Sequence, residues 1–257
     1  MLRLLYEFFK VFSGGGMVGK DVIFKLLMDK NEAFFNPDES KIVTFLNNYS
    51  YLKARKHGCV YEQFDSVYCD GILLNLAVRA LGKKSKRKSF DMTSLAPIVF
   101  RECEKRNFRV FFIGGEEGIA EKAVEKFRQS FPRLNIVGLR HGYFNRGNER
   151  EKVLDEMVHI NPDLVIVSMG ALRQEEFLVD LRKRGWVGRG FTCGGFFHQT
   201  AKAGINYYPK WIDKLNLRWL YRMFDEPKLI KRYFFYYPVS LFYIFIDMYC
   251  FSKKNEK

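Results

Sequence analysis

One predicted strand and the loop behind it constrain this chain more than any other feature. Leu164–Val167 is a short apolar run rich in β-branched residues, and Pro162 and Gly170 bound it. Such a run predicts a parallel strand that is buried on both faces. A helical pattern of apolar residues begins near Arg173. The loop between them therefore lies at the carboxyl end of a central strand, where open α/β sheets bind their ligands.

The same alternation of strand, loop and helix recurs along most of the chain. Short links join the segments, which favours a doubly wound α/β domain with right-handed crossovers that extends to about residue 204. Further strands are predicted at Lys41–Leu46, Ser66–Cys69, Phe108–Ile113, Asn135–Leu139 and Gly190–Cys193, and helices at Ile72–Leu81, between Gly118 and about Phe131, and at Arg150–Ile160.

The residues that follow these strands are candidates for ligand contact. Gln174 and Glu175 either cap a helix or face a ligand, and Asn47 has the same two interpretations. Asp70 places a carboxylate between a strand and a helix, either as an N-cap or as a catalytic group. Gly114–Gly115 opens a turn whose backbone N–H groups suit a phosphate, although its spacing matches neither the dinucleotide fingerprint nor the P-loop.

The charge of the chain predicts anionic partners. Its formal net charge is +14, which favours nucleic acid, anionic lipid or phosphorylated substrates without deciding among them. A basic run at 83–88 precedes Ser89–Asp91. This run is either a solvated loop or a phosphate-binding segment.

Cysteine and histidine usage argues against a disulfide framework and against a metal site. The five cysteines are scattered, odd in number and without CxxC spacing, and the four histidines form no metal-binding pair. A reducing cytoplasm fits this usage. The apolar N-terminus lacks a small-residue cleavage site, so no signal peptide is predicted there. Short helices are predicted at Leu2–Phe12 and Val22–Met28.

The composition changes at about residue 205, and 205–257 form a second segment. Trp211–Phe224 has apolar residues at helical spacing with basic residues between them, and Tyr233–Phe251 is almost wholly apolar and aromatic. A basic amphipathic helix beside an aromatic run favours a membrane surface. A spanning helix and a helix packed on the core are the alternatives. Pro238 and Asp247 argue against spanning.

Several stretches together resemble the bacterial WecG/TagA/CpsF glycosyltransferase family (glycosyltransferase family 26) over about residues 40–237. Each stretch is short, but their number, order and spacing make the resemblance specific. The matching stretches are Phe112–Gly118, His141–Phe144, Asn161–Asp163, Met169–Gly170 with Gln174–Glu175, Trp219–Arg222 with Glu226–Pro227, and Arg232–Tyr233.

The resemblance implies a Rossmann-like core of mostly parallel sheet flanked by helices (1–204) and a helical, membrane-associating appendage (205–257). It implies an inverting enzyme, without metal or other cofactor. The enzyme would move a hexose or N-acetylhexosamine(uronic acid) from a UDP-sugar to a polyprenyl-diphosphate-linked sugar in bacterial surface polysaccharide synthesis. It is expected in the cytoplasm, peripheral on the inner face of the plasma membrane, without a nucleic-acid partner. The resemblance also makes a homo-oligomer an expectation, with no number of subunits specified.

By the same resemblance, Asp70 is the catalytic base. One carboxylate suffices to take the proton of the acceptor hydroxyl, and UDP needs charge stabilisation rather than protonation to leave. The chain has no Asp-x-Asp motif that would hold a metal. Arginines, lysines and the N–H groups of the Gly114–Gly115 turn are therefore expected to stabilise the charge of the leaving UDP. Substrate contacts are expected at Thr44, Asn47, Arg87, Asp91, Gly114, Gly115, Gly170, Gln174, Glu175, Gly194 and Gly195, and lipid-diphosphate contacts at Arg218, Arg222, Lys228 and Arg232.

The chain departs from the family pattern near the expected sugar and acceptor sites, which bears on the donor sugar more than on the reaction class. Leu172 replaces the proline of the Gln-Glu motif, His198–Gln199 replace Asp-Phe, Tyr207–Pro209 replace Arg-Ala-Pro, Arg218 replaces Glu and Leu229 replaces Arg. Two rival interpretations are a non-enzymatic basic nucleotide- or RNA-binding protein and an NAD enzyme. The first lacks an RNP-type aromatic strand, and the second lacks GxGxxG.

Overall fold

The structure is a computed structural model that describes residues 36–80, 87–145, 147–205, 207–209, 211–212, 215 and 217–255, without the side chains of Lys228, Lys254 and Asn255. The helices predicted at Leu2–Phe12 and Val22–Met28 lie outside the described residues, as do the lysines at 83, 84 and 86.

Strands and helices alternate through the described residues. The strands are β1 (Ile42–Leu46), β2 (Ser66–Cys69), β3 (Arg109–Gly114), β4 (Asn135–Arg140), β5 (Leu164–Ser168) and β6 (Arg189–Thr192). The helices are α1 (Asn48–Lys56), α2 (Gly58–Tyr61), α3 (Ile72–Ala80), α4 (Ala96–Arg106), α5 (Ile119–Ser130), α6 (Glu149–Ile160), α7 (Arg173–Lys183), α8 (Phe196–Ala203), α9 (Arg218–Asp225) and α10 (Tyr237–Asn255). A 3₁₀ turn at Pro227–Leu229 and a π-helical turn at Arg232–Tyr236 join α9 to α10.

The six strands form one parallel sheet in the order β2-β1-β6-β5-β3-β4. Helices flank this sheet, so the predicted α/β class is confirmed. The predicted strand bounds agree with the structure to within one residue at each end. The carboxyl ends of all six strands therefore point to one edge, which is the edge that carries ligand sites in such sheets.

Strand β5 is buried on both faces, as its continuous apolar run predicts. Val165 and Val167 belong to the apolar cluster on one side of the sheet, and Leu164 and Ile166 belong to the cluster on the other side. Successive side chains of a strand point to opposite faces, so four consecutive apolar residues pack into the apolar clusters on both sides of the sheet.

Helix α1 is specified by its cap rather than by its apolar pattern. The Asn47 Oδ1 accepts hydrogen bonds from the backbone N–H groups of Tyr49 (3.0 Å) and Ser50 (3.1 Å). The Ser50 hydroxyl in turn accepts from the Asn47 N–H (2.8 Å), which completes a reciprocal cap. Asn47 thus has the capping role that the sequence left open, and it also borders the cavity described below.

Helix α10 packs against α1 and α3 along one face. Ile244 and Asp247 on that face are buried. The Asp247 carboxylate accepts hydrogen bonds from the Arg55 guanidinium (2.7 Å) and from the Tyr51 hydroxyl (2.7 Å). This pairing explains the single aspartate in an otherwise apolar run.

The outward side of the C-terminal segment is apolar and exposed. Arg232–Lys253 is long and apolar enough to cross a membrane by length and composition alone. Its exposed large side chains are Phe234, Phe235, Leu241, Phe242, Phe245 and Tyr249. The segment therefore packs one face on the core and exposes an apolar face on the other side. The exposed face agrees with the predicted membrane-associating helix. The packed face agrees in part with the alternative of a helix packed on the core.

Substitution of Asp247 with alanine is expected to lower the free energy of unfolding by about 3–5 kcal/mol, because it leaves a buried guanidinium without its counter-ion. The Arg55 side chain is only 5% exposed. Chemical denaturation measures the loss. Asp155→Ala is the matched control, because that carboxylate pairs with Arg184 on the surface and its removal should cost at most about 1 kcal/mol. Equal losses for the two variants would contradict the assignment.

Candidate active site

A cavity of about 730 Å³ lies at the carboxyl ends of the strands. The loops after β1 to β6 each contribute to its wall through Asn47, Asp70, Gly115, Gly142, Gly170 and Gly194, in that order. The facing wall comes from the C-terminal segment, with Arg218 and Arg222 of α9 and Arg232 of the π-helical turn. The cavity thus lies between the edge of the sheet and the segment that follows the α/β pattern.

Asp70 faces this cavity from the end of β2, with its side chain 35% exposed. The Arg87 Nε lies 3.7 Å from the Asp70 Oδ1. Burial raises the pKa of Asp70 above its ordinary value; the Asp91 carboxylate raises it further, while Arg87, Arg218 and Arg222 act against the shift. A carboxylate with a raised pKa is a stronger base, which suits removal of a proton from a hydroxyl.

Asp91 is held in an internal ion pair. Its carboxylate accepts hydrogen bonds from Arg218 Nη1 (2.9 Å), from the Ser89 hydroxyl (2.7 Å) and from the Thr93 N–H (2.8 Å). Burial acts to raise the pKa of Asp91, but Arg218 and these hydrogen bonds outweigh it and lower the pKa. The Arg218 guanidinium also lies over the Tyr208 ring, 4.8 Å from its centroid. These contacts tie α9 to the loop before α4.

Two further arginines of the C-terminal segment line the cavity. Arg222 donates to the Glu226 carboxylate (3.0 Å), and its Nε is buried without a hydrogen-bond partner among the described residues. The Arg232 guanidinium lies 4.1 Å from the centroid of the Tyr49 ring. The side chain of Lys228, the fourth predicted lipid-diphosphate contact, is not described.

The charge on the cavity wall is positive. Five arginines line it, at 87, 173, 218, 222 and 232, against three carboxylates, Asp70, Asp91 and Glu226. Such an excess attracts anionic ligands into a cleft. Among the described residues, no group of three or more His, Cys, Asp or Glu side chains is arranged to hold a metal ion.

Glu175 is fully buried beneath the cavity. Its Oε1 accepts hydrogen bonds from the Thr44 hydroxyl (2.8 Å) and the Gln174 side-chain amide (2.9 Å), and its Oε2 accepts from the Leu172 N–H (2.6 Å). Burial raises the pKa of Glu175, and these hydrogen bonds act in the opposite direction without cancelling it. The buried carboxylate therefore fixes the loop between β5 and α7 through hydrogen bonds on the side away from the cavity.

Gln174 carries this network to β6 while its side chain also borders the cavity. Its Oε1 accepts a hydrogen bond from the Gly194 N–H (3.0 Å), and the Thr192 hydroxyl donates to the Thr44 hydroxyl (2.7 Å). The Ser168 hydroxyl donates to the Gly194 carbonyl (2.6 Å). Hydrogen bonds thereby join the ends of β1, β5 and β6 beneath the site.

Three predicted substrate-contact residues lie behind the cavity wall rather than on it. Thr44 and Glu175 belong to the buried network. Gly114 has a positive φ of 141°, and a Cβ there would stand 2.2 Å from the Ser168 carbonyl oxygen. Glycine is needed at 114 because β3 approaches the end of β5 closely. These three residues lie outside the cavity lining, and their contact with substrate stays a prediction.

One N–H group of the predicted phosphate-binding turn at Gly114–Gly115 is already paired within the protein. The Gly115 N–H donates to the Ser168 carbonyl (2.9 Å), and the Gly142 N–H donates to the Gly115 carbonyl (2.8 Å). A backbone donor already paired in this way is not available to a phosphate. Gly115 lines the cavity, and five arginines belong to the same lining.

The remaining predicted residues are brought together on one wall or the other. They are Asn47, Asp70, Arg87, Asp91, Gly115, Gly170, Gln174, Gly194, Gly195, Arg218, Arg222 and Arg232. They come from segments as far apart in the chain as β1 and the turn before α10, and the fold places all of them around one cavity.

Sequence reasoning missed the aromatic part of the wall. Tyr208, Tyr233 and Tyr237 line the cavity, and the ring centroids of the last two are 4.7 Å apart. Burial raises the pKa of all three hydroxyls, so they remain neutral hydrogen-bond donors at physiological pH. The spacing of Tyr233 and Tyr237, four residues apart on a helix, is the signal that predicts a shared face.

Comparison with known proteins identifies the family. Residues 21–254 match the model of the Glycosyl transferase WecG/TagA/CpsF family. The UDP-Gal:alpha-D-GlcNAc-diphosphoundecaprenol beta-1,4-galactosyltransferase of Shigella boydii is 36% identical over 219 residues, which cover 85% of this chain and 91% of that protein.

Two N-acetylglucosaminyldiphosphoundecaprenol N-acetyl-beta-D-mannosaminyltransferases are also similar. The one from Bacillus subtilis (strain 168) is 29% identical over 190 residues, covering 72% of this chain and 70% of that protein. The one from Bacillus spizizenii is 25% identical over 180 residues, covering 69% and 67%. Because the family model spans most of the chain, the chain belongs to the WecG/TagA/CpsF family of glycosyltransferases.

Proposed function

We propose that this enzyme moves a hexose or N-acetylhexosamine(uronic acid) from a UDP-sugar to a sugar on a polyprenyl diphosphate, in bacterial surface polysaccharide synthesis. One observation carries the proposal: Asp70 of the sheet and Arg222 and Arg232 of the C-terminal segment face one cavity. A base for a hydroxyl and cations for diphosphates are the groups that such a transfer needs.

The names of the relatives narrow the substrates to be tried first. All three relatives act on GlcNAc linked to diphosphoundecaprenol, so we propose that acceptor here. The relative with 36% identity is a galactosyltransferase, and those with 29% and 25% identity are N-acetylmannosaminyltransferases. UDP-galactose is therefore the first donor of choice and UDP-N-acetylmannosamine the second.

Asp70 is the proposed base of an inverting displacement. Its carboxylate takes the proton of the acceptor hydroxyl as that oxygen forms a bond to the anomeric carbon. The bond from that carbon to the UDP oxygen breaks on the opposite face, and UDP leaves with the electron pair. The names of the relatives specify β-linked products, and UDP-hexoses carry their sugar in the α configuration, so inversion follows if this chain shares their stereochemistry.

The arginines are proposed to stabilise the charge of UDP as it leaves, without a metal. Cations fixed at the place where charge develops lower a barrier without reorganising during the reaction. The guanidinium groups of Arg222 and Arg232 line the cavity, which suits them to this task and to holding the acceptor diphosphate. A planar guanidinium offers several donors at once to phosphate oxygens.

We also propose that the enzyme lies on the inner face of the plasma membrane without crossing it. Asp247 and Arg55 form a buried ion pair on the inward face of α10, and a helix placed across a bilayer would lose that pairing. The outward face of the segment is apolar, and basic residues near anionic lipid add about 1 kcal/mol each to membrane binding.

The direct test of the function is release of UDP from a panel of UDP-sugars, with GlcNAc-diphospholipid as acceptor and EDTA present. Acceptor-dependent release from UDP-galactose is the expected result. Omission of the acceptor is the control for simple hydrolysis. Release that needs added divalent metal would contradict the metal-independent mechanism, and no release from any donor with metal restored would contradict the proposed substrates.

Asp70→Asn is expected to lower turnover by about 10²–10⁴-fold, because the amide cannot take the proton of the acceptor hydroxyl. UDP-sugar affinity should stay nearly unchanged, since the substitution preserves shape. Steady-state kinetics and calorimetric binding of the donor separate the two effects. Asp155→Asn, at an exposed carboxylate on α6, is the matched control. Full activity of Asp70→Asn would remove Asp70 as the base.

Arg87→Gln is expected to move the acid limb of the activity profile to higher pH. Arg87 lowers the pKa of Asp70, so its removal raises that pKa further. A base must be ionised, and a higher pKa leaves less of it ionised as the pH falls. The pH dependence of turnover measures the shift, with Arg101→Gln on the exposed side of α4 as control. An acid limb that stays in place would show that Asp70 does not set it.

A further inference from the structure

Helix α3 exposes apolar side chains although it follows the proposed catalytic residue directly. Ile72, Leu73 and Leu76 are 38%, 37% and 50% exposed, whereas Leu74 and Val78 are fully buried. The three exposed side chains share one side of the helix, because residues four apart in a helix lie one above the other. Helix α3 therefore presents exposed apolar side chains beside the site.

The start of α10 continues this face. Helices α3 and α10 pack against each other. Leu241 is exposed, and Phe245, one turn further along α10, is 72% exposed. Ile72, Leu73 and Leu241 also line the cavity. We call the five residues Ile72, Leu73, Leu76, Leu241 and Phe245 the apolar strip, which starts inside the cavity and continues outward along both helices.

We infer that the apolar strip holds the polyprenyl chain of the acceptor as it leaves the cavity. This inference rests on the proposed function. A diphosphate held at Arg222 and Arg232 has its sugar on one side and its lipid on the other. Since Asp70 must meet the sugar, the lipid is directed to the apolar side chains of α3 and α10 that line the cavity.

These side chains of α3 and α10 fit such an occupant. Ile72, Leu73 and Leu241 contribute apolar side chains to the lining of the cavity, and the Arg232 guanidinium belongs to the same lining. A lipid diphosphate needs a cationic surface for its diphosphate and an adjoining apolar surface for its hydrocarbon chain. Exposed apolar surface that is continuous with a polar binding site marks an interaction site rather than scattered surface residues.

Leu76→Gln and Phe245→Gln test the inference. Neither residue lines the cavity, so the polar contacts of the site stay intact. Transfer is measured with two acceptors that differ only in the lipid, a short alkyl chain and undecaprenol, both in the same detergent micelles. Each variant should raise KM for the undecaprenyl acceptor by about tenfold, because a buried contact with one large apolar side chain is lost. KM for the short-chain acceptor should not change.

Ile98→Gln is the matched control, because Ile98 is 52% exposed on α4 and does not line the cavity. It should change neither KM. If the two strip variants change KM equally for both acceptors, or change neither, the inference is overturned. Wild-type transfer to the short-chain acceptor would still uphold the proposed function in that case. Loss of binding to acceptor-free vesicles, without a chain-dependent KM, would show a bilayer contact and also overturn it. Wild-type transfer to neither acceptor would overturn both.

Discussion

The floor of the cavity depends on one buried carboxylate. Glu175 accepts hydrogen bonds from Thr44 of β1 and from Leu172 of the loop after β5, and its neighbour Gln174 holds the N–H of Gly194 after β6. Each donor left without its acceptor would cost about 1–3 kcal/mol in a buried setting. The ends of three strands are thus held at fixed spacing. The in-line displacement proposed above needs a floor that does not shift.

The second wall depends on ion pairs between distant parts of the chain. Arg218 of α9 binds Asp91, and Asp247 of α10 binds Arg55 of α1. These contacts make the C-terminal segment a structural part of the site, although its composition suggests an appendage. Removal of 205–257 would uncover the core beneath α10 as well as removing the arginines. Point substitutions on the outward face therefore separate membrane contact from catalysis more cleanly than truncation does.

Much of the fold follows from local pattern, whereas the roles of individual site residues depend on tertiary contacts. Short apolar runs that end at loop residues predict the strands of the sheet, and the carboxyl ends of parallel strands meet at one edge. The pattern cannot show that Glu175 is buried or that the Gly115 N–H is already paired with Ser168, because partners of both come from other strands. The sequence left open whether Asn47 caps a helix or faces a ligand. Its reciprocal hydrogen bonds with Ser50 show that it caps the helix.

Leu172 shows how a departure from the family pattern changes the physics of the floor. Its φ of 76° and ψ of −49° lie near the strained γ-turn conformation, which costs of order 1–3 kcal/mol. The proline that the family carries at this position has φ fixed near −65° and no N–H. A proline therefore cannot adopt this backbone conformation or donate to Glu175 as Leu172 does. This chain stabilises its buried carboxylate with a backbone donor that the proline of the family motif would not supply. The strain at 172 persists because that hydrogen bond and the packing of α7 hold it.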